Sequence, residues 1–262
     1  MNMNAKPSLR FVTGEPALLL PGKTLVIADL HIGAEHEFRR AGIRMPSQTN
    51  KLLEKARSLV RQARARKLII LGDVKHKVPG LSFQEEREVP HFLTELGKIT
   101  EVEVVPGNHD DGLQKLVPDI RFHPSSGVMM GNFYLTHGHA WPSPDFLNAK
   151  RVLSAHRHPV IEFRDRLGYV WRERVWVRTG LKKAAIKDRF KKDISPKTSV
   201  PELVMMPAFN GMVGGSALNR KKQDFRLKRR PTPLGPLLKA AKTAGARVYL
   251  LDGTYLGELD KL

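Results

Sequence analysis

The sequence predicts an α/β fold, in which short buried strands alternate with amphipathic helices. Four short apolar runs have the length and composition of buried strands and end at glycine, proline or a polar residue. They are residues 24–28, 67–71, 101–105 and 132–136. Apolar residues at helical spacing separate the first three runs. Strands and helices in alternation indicate βα units, which build α/β proteins.

Two helices are predicted between these strands. Residues 46–66 start at Pro46 and Ser47 and then repeat leucine, alanine and valine at helical spacing. Residues 84–98 show the same spacing but contain Pro90. Because proline lacks a backbone N–H, we expect a kink or a restart of the helix there.

The pattern changes after residue 158. Residues 159–163 and 169–178 alternate as two strands joined at Gly168, and we expect Trp171, Val175 and Val177 to face inward. Trp176 is also expected in the core.

The C-terminal third is rich in basic residues. Two basic regions, at about 181–200 and 219–231, predict long loops, while residues 234–245 predict a final helix and 247–251 a final strand. The sequence contains neither a clear linker nor an internal repeat, so we expect residues 1–262 to form a single domain.

Composition limits the chemistry. The 262 residues contain no cysteine, which excludes disulfides, thiolate metal sites and cysteine nucleophiles. No stretch approaches the roughly 18 apolar residues of a membrane helix, and the N-terminus lacks the apolar core of a signal peptide. We therefore expect a soluble, cytoplasmic protein with no membrane partner.

The charge is strongly positive. Lysine and arginine number 45 against 26 acidic residues, a net charge of +19. Such a balance favours a polyanionic partner, most simply DNA or RNA, although a solvated surface is the alternative. Several aromatic residues interleave with the basic regions and could stack on bases: Trp171, Trp176, Phe190, Phe209 and Phe225.

Five polar clusters follow the predicted strands or lie close behind them. In α/β sheets, ligands bind beyond the carboxyl ends of the strands, so these clusters are expected to converge. The clusters are Asp29-Leu30-His31, Gly72-Asp73-Val74-Lys75-His76, Gly107-Asn108-His109-Asp110, His137-Gly138-His139 and Ala155-His156-Arg157-His158.

The residue types in these clusters suit divalent metals. Residues i and i+2 of an extended segment point the same way, so Asp29 and His31 can reach one cation. The carboxylate of Asp73 can bridge two cations with its two oxygens. Mixed carboxylate, imidazole and amide ligands suit manganese, iron or zinc better than calcium. Two such metals acidify a bridging water, which then attacks phosphorus as hydroxide.

The order of the clusters resembles the calcineurin-like metallophosphoesterase superfamily, whose pattern is D-x-H, G-D, G-N-H-D/E, H and G-H-x-H. Within this superfamily, the sequence around Asp29 and Asp73 is similar to SbcD-related archaeal phosphoesterases and to ligase-associated endonucleases of bacteria. Residues 204–211 resemble the same subgroup. The resemblance implies a four-layer αββα sandwich, in which two mixed sheets are flanked by helices.

The resemblance also implies roles for individual residues, which we carry over position by position. Two divalent metal ions, most simply Mn²⁺ with iron, nickel or zinc as alternatives, would be held in two groups that share Asp73. The first group is Asp29, His31, Asp73 and His158, and the second is Asp73, Asn108, His137 and His156. His109 would be catalytic at the scissile phosphate, and Asp110 would orient its ring. His139 competes with His137 for one ligand position and is otherwise expected to contact substrate. Apart from the resemblance, Arg44 is expected to contact substrate because its loop lies close behind the first ligands.

This sequence departs from the superfamily pattern at two positions. Ala155 replaces the usual glycine before His156, which is tolerable if the backbone there does not need a positive φ. His76 replaces the second acid of G-D-x-x-D and is not expected to be a ligand.

Three functions are consistent with the sequence. The first is a metal-dependent phosphodiesterase that cleaves nucleic acid as a nuclease, in DNA repair or end processing. The second keeps the chemistry but acts on a small nucleotide-like substrate, as a phosphodiesterase or phosphatase. The third is a nucleic-acid-binding module with a vestigial site. The resemblance also makes a homodimer an expectation.

Overall fold

Two mixed sheets pack face to face in the computed structural model, which describes residues 9–190, 200–220 and 235–262. The first sheet has the order β1-β2-β3-β4-β5-β6. Its strands are β1 (Arg10–Phe11), β2 (Leu18–Leu20), β3 (Thr24–Ala28), β4 (Lys67–Leu71), β5 (Glu101–Val105) and β6 (Arg121–Phe122). Strands β3 to β6 run parallel, which fits the near-continuous apolar sequences of β3 and β4.

The second sheet has the order β13-β10-β11-β12-β9-β8-β7, with β14 and β15 added beside β11. Its strands are β7 (Val128–Met130), β8 (Phe133–Thr136), β9 (Arg151–Ser154), β10 (Pro159–Arg164), β11 (Val170–Thr179), β12 (Glu202–Met205), β13 (Ser216–Ala217), β14 (Arg247–Leu250) and β15 (Tyr255–Glu258). Strands β8, β9 and β12 are parallel, while β10 and β11 form an antiparallel hairpin.

Helices cover the outer faces of both sheets. The helices are α1 (Glu35–Arg40), α2 (Thr49–Gln62), α3 (Phe83–Gly97), α4 (Leu113–Leu116), α5 (Lys183–Phe190) and α6 (Pro236–Lys239), with 3₁₀ turns at Pro144–Asn148 and Leu259–Lys261. The four-layer αββα sandwich is thereby confirmed. Among the described residues, no helix is both long and apolar enough to cross a bilayer.

Three apolar clusters hold the layers together, because alternate strand residues point to opposite faces. In β3, Leu25 and Ile27 pack outward under α2 and α3, whereas Val26 packs inward between the sheets. Trp176 of β11 lies in the inter-sheet cluster and is 1% exposed, as expected. A third cluster packs the second sheet against α5 and α6.

Helix α3 differs from its expectation at Pro90. The helix begins at a capping box between Ser82 and Glu85 and continues through Pro90 without a restart. Buried Val89, Phe92 and Leu93 flank the proline, so core packing compensates for the missing backbone hydrogen bond.

Several other expectations are corrected. The final helix is only the four residues of α6, and β9, which precedes the cluster at residues 155–158, was not among the predicted strands. Trp171 is 37% exposed and not a core residue, whereas Val175 and Val177 are buried as expected. Of the basic regions, residues 191–199 and 221–231 lie outside the described residues, as does Phe225, while residues 183–190 form α5.

Candidate metal centre

The five polar clusters meet at one edge of the sandwich. Strands β3, β4 and β5 run parallel in the first sheet, and β8 and β9 run parallel in the second. Each cluster follows the carboxyl end of one of these strands directly or within a few residues. The sheets therefore bring residues from 29 to 158 into contact.

The first ligand group contains Asp29, His31, Asp73 and His158, whose ligand atoms all lie within 4.8 Å of one another. The Nε2 atoms of His31 and His158 are 3.2 Å apart. Nε2 of His158 is 3.4 Å from Oδ1 of Asp29, and Nε2 of His31 is 3.5 Å from Oδ2 of Asp73. The structure thus brings together all four residues assigned to the first metal.

The second group contains Asp73, His137 and His156, within the same 4.8 Å limit. Nε2 of His137 lies 3.3 Å from Oδ2 of Asp73 and 3.3 Å from Oδ1 of Asn108. Asp73 belongs to both groups, and its Oδ2 faces histidines of both. Its Oδ1 instead accepts the backbone N–H of His109 at 3.0 Å. Oδ2 therefore faces both ligand groups, while Oδ1 fixes the His109 loop; the bridging of two cations by Asp73 stays a prediction.

Backbone strain is concentrated in the same residues. Seven described residues other than glycine have a positive φ, and five of them are Asp29, His31, Asp73, His156 and His158. Residues other than glycine rarely adopt this left-handed backbone conformation, and those that do cluster at functional sites. Asp29 and His31 therefore converge through a left-handed turn and not through the extended segment we expected. Ala155 has no positive φ, so its replacement of glycine carries no strain.

The donor set fits divalent cations. Oδ2 of Asp29 is buried and has no hydrogen-bond partner within the described residues, although a buried carboxylate oxygen ordinarily has one. The other ligand atoms are imidazole nitrogens, a carboxylate and an amide oxygen. Manganese, iron, nickel and zinc accept this set, whereas calcium prefers oxygen alone.

Burial and charge shift the pKa values in opposite directions across the centre. Burial opposes the charge of Asp73, but His137, His31 and His109 outweigh it and hold the pKa of this carboxyl well below its usual range. Burial also opposes the charge of His137, but Asp73 and Asp29 raise its pKa to about 9. Burial and the neighbouring His137 lower the pKa of His156 to about 4. The centre thus stabilises an anionic Asp73 beside a His156 imidazole that is neutral at pH 7.

His109 lies at the edge of the centre with its ring partly exposed. Its Nδ1 donates to the backbone carbonyl of His76, and its Nε2 lies 3.9 Å from Oδ2 of Asp73. Asp110 does not orient this ring, contrary to expectation. Its Oδ1 accepts the N–H of Val74 at 2.8 Å, and its Oδ2 accepts the N–H of Gly107 at 2.7 Å. Asp110 therefore braces the two loops beneath the centre.

Residues 22–191 match the family of calcineurin-like phosphoesterases, which spans more than half of the sequence. This chain belongs to the calcineurin-like phosphoesterase family. It is accordingly a hydrolase that acts on phosphoesters, in a family that typically binds divalent metals.

Solved structures add to the comparison. The nuclease MPE of Pseudomonas putida has a TM-score of 0.57 and 20% identity to this phosphoesterase, over 95% of this chain and 100% of that one. At that identity, the likeness is evidence of a shared fold. YfcE, a phosphoesterase from E. coli, aligns over 54% of this chain and 73% of its own at 18% identity, with a TM-score of 0.35 that is too low to bear on the fold. Comparison with curated proteins finds no match.

The two expected substrate contacts of this phosphoesterase lie in different surroundings. His139 is half-buried, with its ring centroid 5.3 Å from that of His137, and burial lowers its pKa to about 4. It belongs to neither ligand group, whereas His137 does. Arg44 is exposed after α1, and the contacts among the described residues do not tie it to the centre. Both roles stay predictions.

Other residues support the centre but were not predicted from the sequence. The carboxylate of Glu85 is buried and accepts the N–H groups of His76 at 2.8 Å and Lys77 at 2.6 Å. His76 in turn places its Nδ1 3.3 Å from Nδ1 of His31. Buried Asn210 donates to the carbonyl of Leu30 at 2.9 Å. The one hint of Asn210 in the sequence was the resemblance of residues 204–211 to the phosphoesterase subgroup, and that resemblance did not single out any residue.

Proposed function

We propose that this phosphoesterase is a manganese-dependent phosphodiesterase that cleaves nucleic acid as a nuclease. The observation that carries the proposal is the pair of ligand groups that share one oxygen of Asp73, with the partly exposed ring of His109 beside them. Two cations held by one bridging carboxylate suit an in-line phosphoryl displacement.

In this proposal, each cation has its own ligand group. Asp29, His31, Asp73 and His158 hold the first, and Asp73, Asn108, His137 and His156 hold the second. When bound, the cations supply Lewis acidity and an activated water at neutral pH. The short, braced loops keep the ligands in place, because Asp110 ties the loop that carries Asp73 to the loop that carries Asn108.

His109 supplies the proton in this proposal. Its Nδ1–H is engaged by the carbonyl of His76, so the ring is fixed and Nε2 is the nitrogen left beside the centre, 3.9 Å from Oδ2 of Asp73. Negative charge develops on the leaving oxygen as the P–O bond breaks. A protonated Nε2 donates to that oxygen and stabilises the charge, as a positioned general acid does.

The charge of the chain supports a nucleic-acid substrate. A net charge of +19 on 262 residues attracts a polyanion and raises its local concentration. The structurally similar protein MPE of Pseudomonas putida is a nuclease, which is consistent with a nucleic-acid substrate for this phosphoesterase.

A small nucleotide-like phosphoester is the second candidate. A cleft of about 700 Å³ opens beside Asn108 and is also lined by Lys115, Phe122 and His123. This volume falls within the range of small-molecule sites, and the lining offers one cationic and two ring side chains beside the acidic Asp110 and Asp111.

One assay compares these functions. The protein is stripped of metal, reloaded with Mn²⁺, Fe²⁺, Ni²⁺ or Zn²⁺, and incubated in parallel with bis-p-nitrophenyl phosphate and with labelled DNA and RNA, single- and double-stranded. His109→Ala and Asp73→Ala are compared with His91→Ala, which removes an exposed histidine of α3. We expect both site variants to lose turnover and His91→Ala to retain it.

The outcomes distinguish the candidates. Nucleic-acid cleavage that the site variants lose supports the nuclease. Diester turnover without nucleic-acid cleavage supports the small substrate. If all variants match the wild type, the site is vestigial and the proposal is wrong. Light scattering of the same samples tests the homodimer that the family resemblance leads us to expect.

A further inference from the structure

A stack of three aromatic rings, two of them exposed, lies on the hairpin of β10 and β11, next to the metal centre in sequence. Phe163 and Trp171 are directly opposite each other in the hairpin, with ring centroids 5.3 Å apart and planes 18° apart. Tyr169 extends the stack, with its centroid 6.1 Å from that of Trp171 and its plane at 21°. Among the described residues, these are the two parallel ring pairs, and the others are tilted or edge-on.

The stack becomes more exposed toward the hairpin tip. Phe163 is partly buried against the core of the second sheet, Trp171 is 37% exposed and Tyr169 is 67% exposed. The Phe163–Trp171 pair alone would stabilise the hairpin, as cross-strand aromatic pairs do. Tyr169 adds a ring that is mostly exposed to solvent, so hairpin stability does not explain it.

The hairpin projects beyond the sheet. The side chain of Asn219 pairs with the backbone N–H and C=O of Glu162, at 3.0 and 2.9 Å, and thereby closes the outer edge of β10 at that residue. On the other side, β14 pairs with β11 only from Val175 onward. Within the described parts of the chain, the ribbon outside these residues has no further strand partner.

Cationic side chains lie on the same hairpin, with Arg164 and the Glu162–Arg172 pair on the face of the ribbon opposite the rings. Arg164 and Arg166 are exposed at the tip and form no ion pair with a described residue. Glu162 is flanked by two arginines, Arg172 and Arg220, each 3.0 Å from its carboxylate, which leaves this cluster with a net positive charge. Asp165 accepts the N–H groups of Leu167 and Tyr169 and so shapes the turn.

We propose that Phe163, Trp171 and Tyr169 form a platform on which unpaired bases of single-stranded nucleic acid stack. Base stacking on aromatic side chains needs an exposed ring face and tolerates any sequence, while nearby arginines bind the phosphates. Bases paired in a duplex hide their faces, so the platform selects single-stranded segments.

The platform lies within reach of the metal centre. His158 of the first ligand group immediately precedes β10. Phe163 therefore lies roughly 16 Å along the strand from His158. A strand anchored on the rings can place a phosphodiester several nucleotides away at the centre. This inference rests on the proposed nuclease function, because it gives that site a substrate class.

Binding to the metal-stripped protein tests the platform without catalysis. The probes are a fluorescein-labelled single strand of about 20 nucleotides and a duplex of the same length, followed by anisotropy at fixed salt. Trp171→Ala and Tyr169→Ala should each weaken binding to the single strand about tenfold. Binding to the duplex should change far less.

Two controls separate stacking from folding and from general charge. Leu167→Ala removes an apolar side chain that is 95% exposed on the same hairpin and carries no ring, so it should bind as the wild type does. Trp171→Phe keeps a ring and should restore most of the affinity that Trp171→Ala loses. Thermal melting confirms that each variant is folded.

The results distinguish this inference from the nuclease proposal. With the metal reloaded, the ratio of kcat/KM on single-stranded nucleic acid to kcat/KM on bis-p-nitrophenyl phosphate should fall about tenfold in the alanine variants. If the wild type cleaves nucleic acid and the ring variants bind and cleave as it does, the platform is refuted and the nuclease stands. If ring-dependent binding occurs without any cleavage, the platform stands and the nuclease is refuted. If the wild type does not bind single strands, the platform is refuted, and cleavage of the duplex then decides whether the nuclease stands.

Discussion

Replacing Gly107 by alanine should disable the centre without unfolding the protein. Gly107 lies in the loop after β5, and its φ is not positive, so alanine adds no backbone strain. A Cβ at this position would lie 2.5 Å from the backbone nitrogen of Asp73 and 2.9 Å from its carboxyl carbon, and would be closer still to its Oδ1. Real Cβ contacts are essentially never shorter than 3.0 Å.

The size of the effect follows from this overlap. The carboxylate of Asp73, or the loop that carries it, must move by roughly 1 Å, and a misplacement of that size costs about 100-fold in rate. Because Oδ2 of Asp73 faces both ligand groups, both cations should bind more weakly. We therefore expect kcat/KM on bis-p-nitrophenyl phosphate to fall about 100-fold and bound Mn²⁺ to fall below the wild-type stoichiometry.

Gly97→Ala is the matched control. Gly97 is the last residue of α3 and has no positive φ, and a Cβ there would meet no atom within 4 Å beyond its chain neighbours and the backbone of its own helix. Alanine in a helix is favoured over glycine by roughly 0.5–1 kcal/mol, so this variant should be active and slightly more stable. Activity assays, metal analysis by mass spectrometry and thermal melts are run on both. If Gly107→Ala keeps wild-type activity and metal content, the carboxylate of Asp73 does not lie against Gly107 as described, and the reasoning is refuted.

Three further predictions concern stability. Asp110→Asn should lower the free energy of unfolding by about 1–3 kcal/mol in urea titrations. The reason is that Asp110 accepts from the N–H groups of Val74 and Gly107 with two different oxygens, whereas an amide has only one acceptor oxygen. Unchanged stability would contradict this bracing. Burial opposes the charge of Glu103, but Lys67 and His123 outweigh the effect of burial and lower the pKa of this carboxyl from its usual 4.5. The ionised carboxylate therefore stabilises the fold above pH 4.5, and this stabilisation is lost as the pH falls through the folded-state pKa. Glu103→Gln should therefore show a smaller loss of stability than wild type between neutral pH and about pH 3, and an equal loss would rule the ion pairs out as its source. EDTA should lower the melting temperature and added Mn²⁺ should restore it, because a ligand of the native state stabilises that state; a melting temperature indifferent to both would argue against a metal centre.

The sequence predicted the five-residue parallel strands of the first sheet and missed shorter strands that are equally buried. Strands β3 and β4 are buried on both faces and are nearly continuous apolar runs, while β5 keeps three buried valines around a buried Glu103. Strand β9 begins with Arg151, and β2 is three leucines, so neither has a distinctive period. These strands exist because neighbouring strands complete their hydrogen bonds, and that information is not local.

Helices show the same division. Helix α2 is long and amphipathic, and its apolar spacing predicted it well within residues 46–66. Helix α5 buries only Ile186 among its basic residues, so its sequence shows no apolar stripe. The opposite error occurs at the C-terminus, where apolar residues suggested twelve helical residues but only Pro236–Lys239 are helical.

At the site, residue types were predictable and hydrogen-bond partners were not. Divalent metals restrict the ligands to a few side chains, so Asp, His and Asn at strand ends were informative. Which group orients His109 depends on the path of the loop, and the carbonyl of His76 takes the place expected for Asp110. Trp171 was misplaced for a similar reason, since strand alternation identifies a face but cannot show that the hairpin leaves the sheet.

The left-handed backbone of the ligands explains why these loops act together. Each non-glycine residue in that conformation costs about 1–3 kcal/mol, so five of them must be fixed by their surroundings. The fixing bonds run between loops: the N–H of Asp29 donates to the carbonyl of Gly72 at 3.1 Å, and the N–H of His31 donates to the carbonyl of Asp73 at 2.8 Å. The strained loop of the first group is thus held by the loop that carries the shared carboxylate. A change in either loop is therefore transmitted to both ligand groups, and the centre behaves as one unit whose parts cannot be perturbed separately.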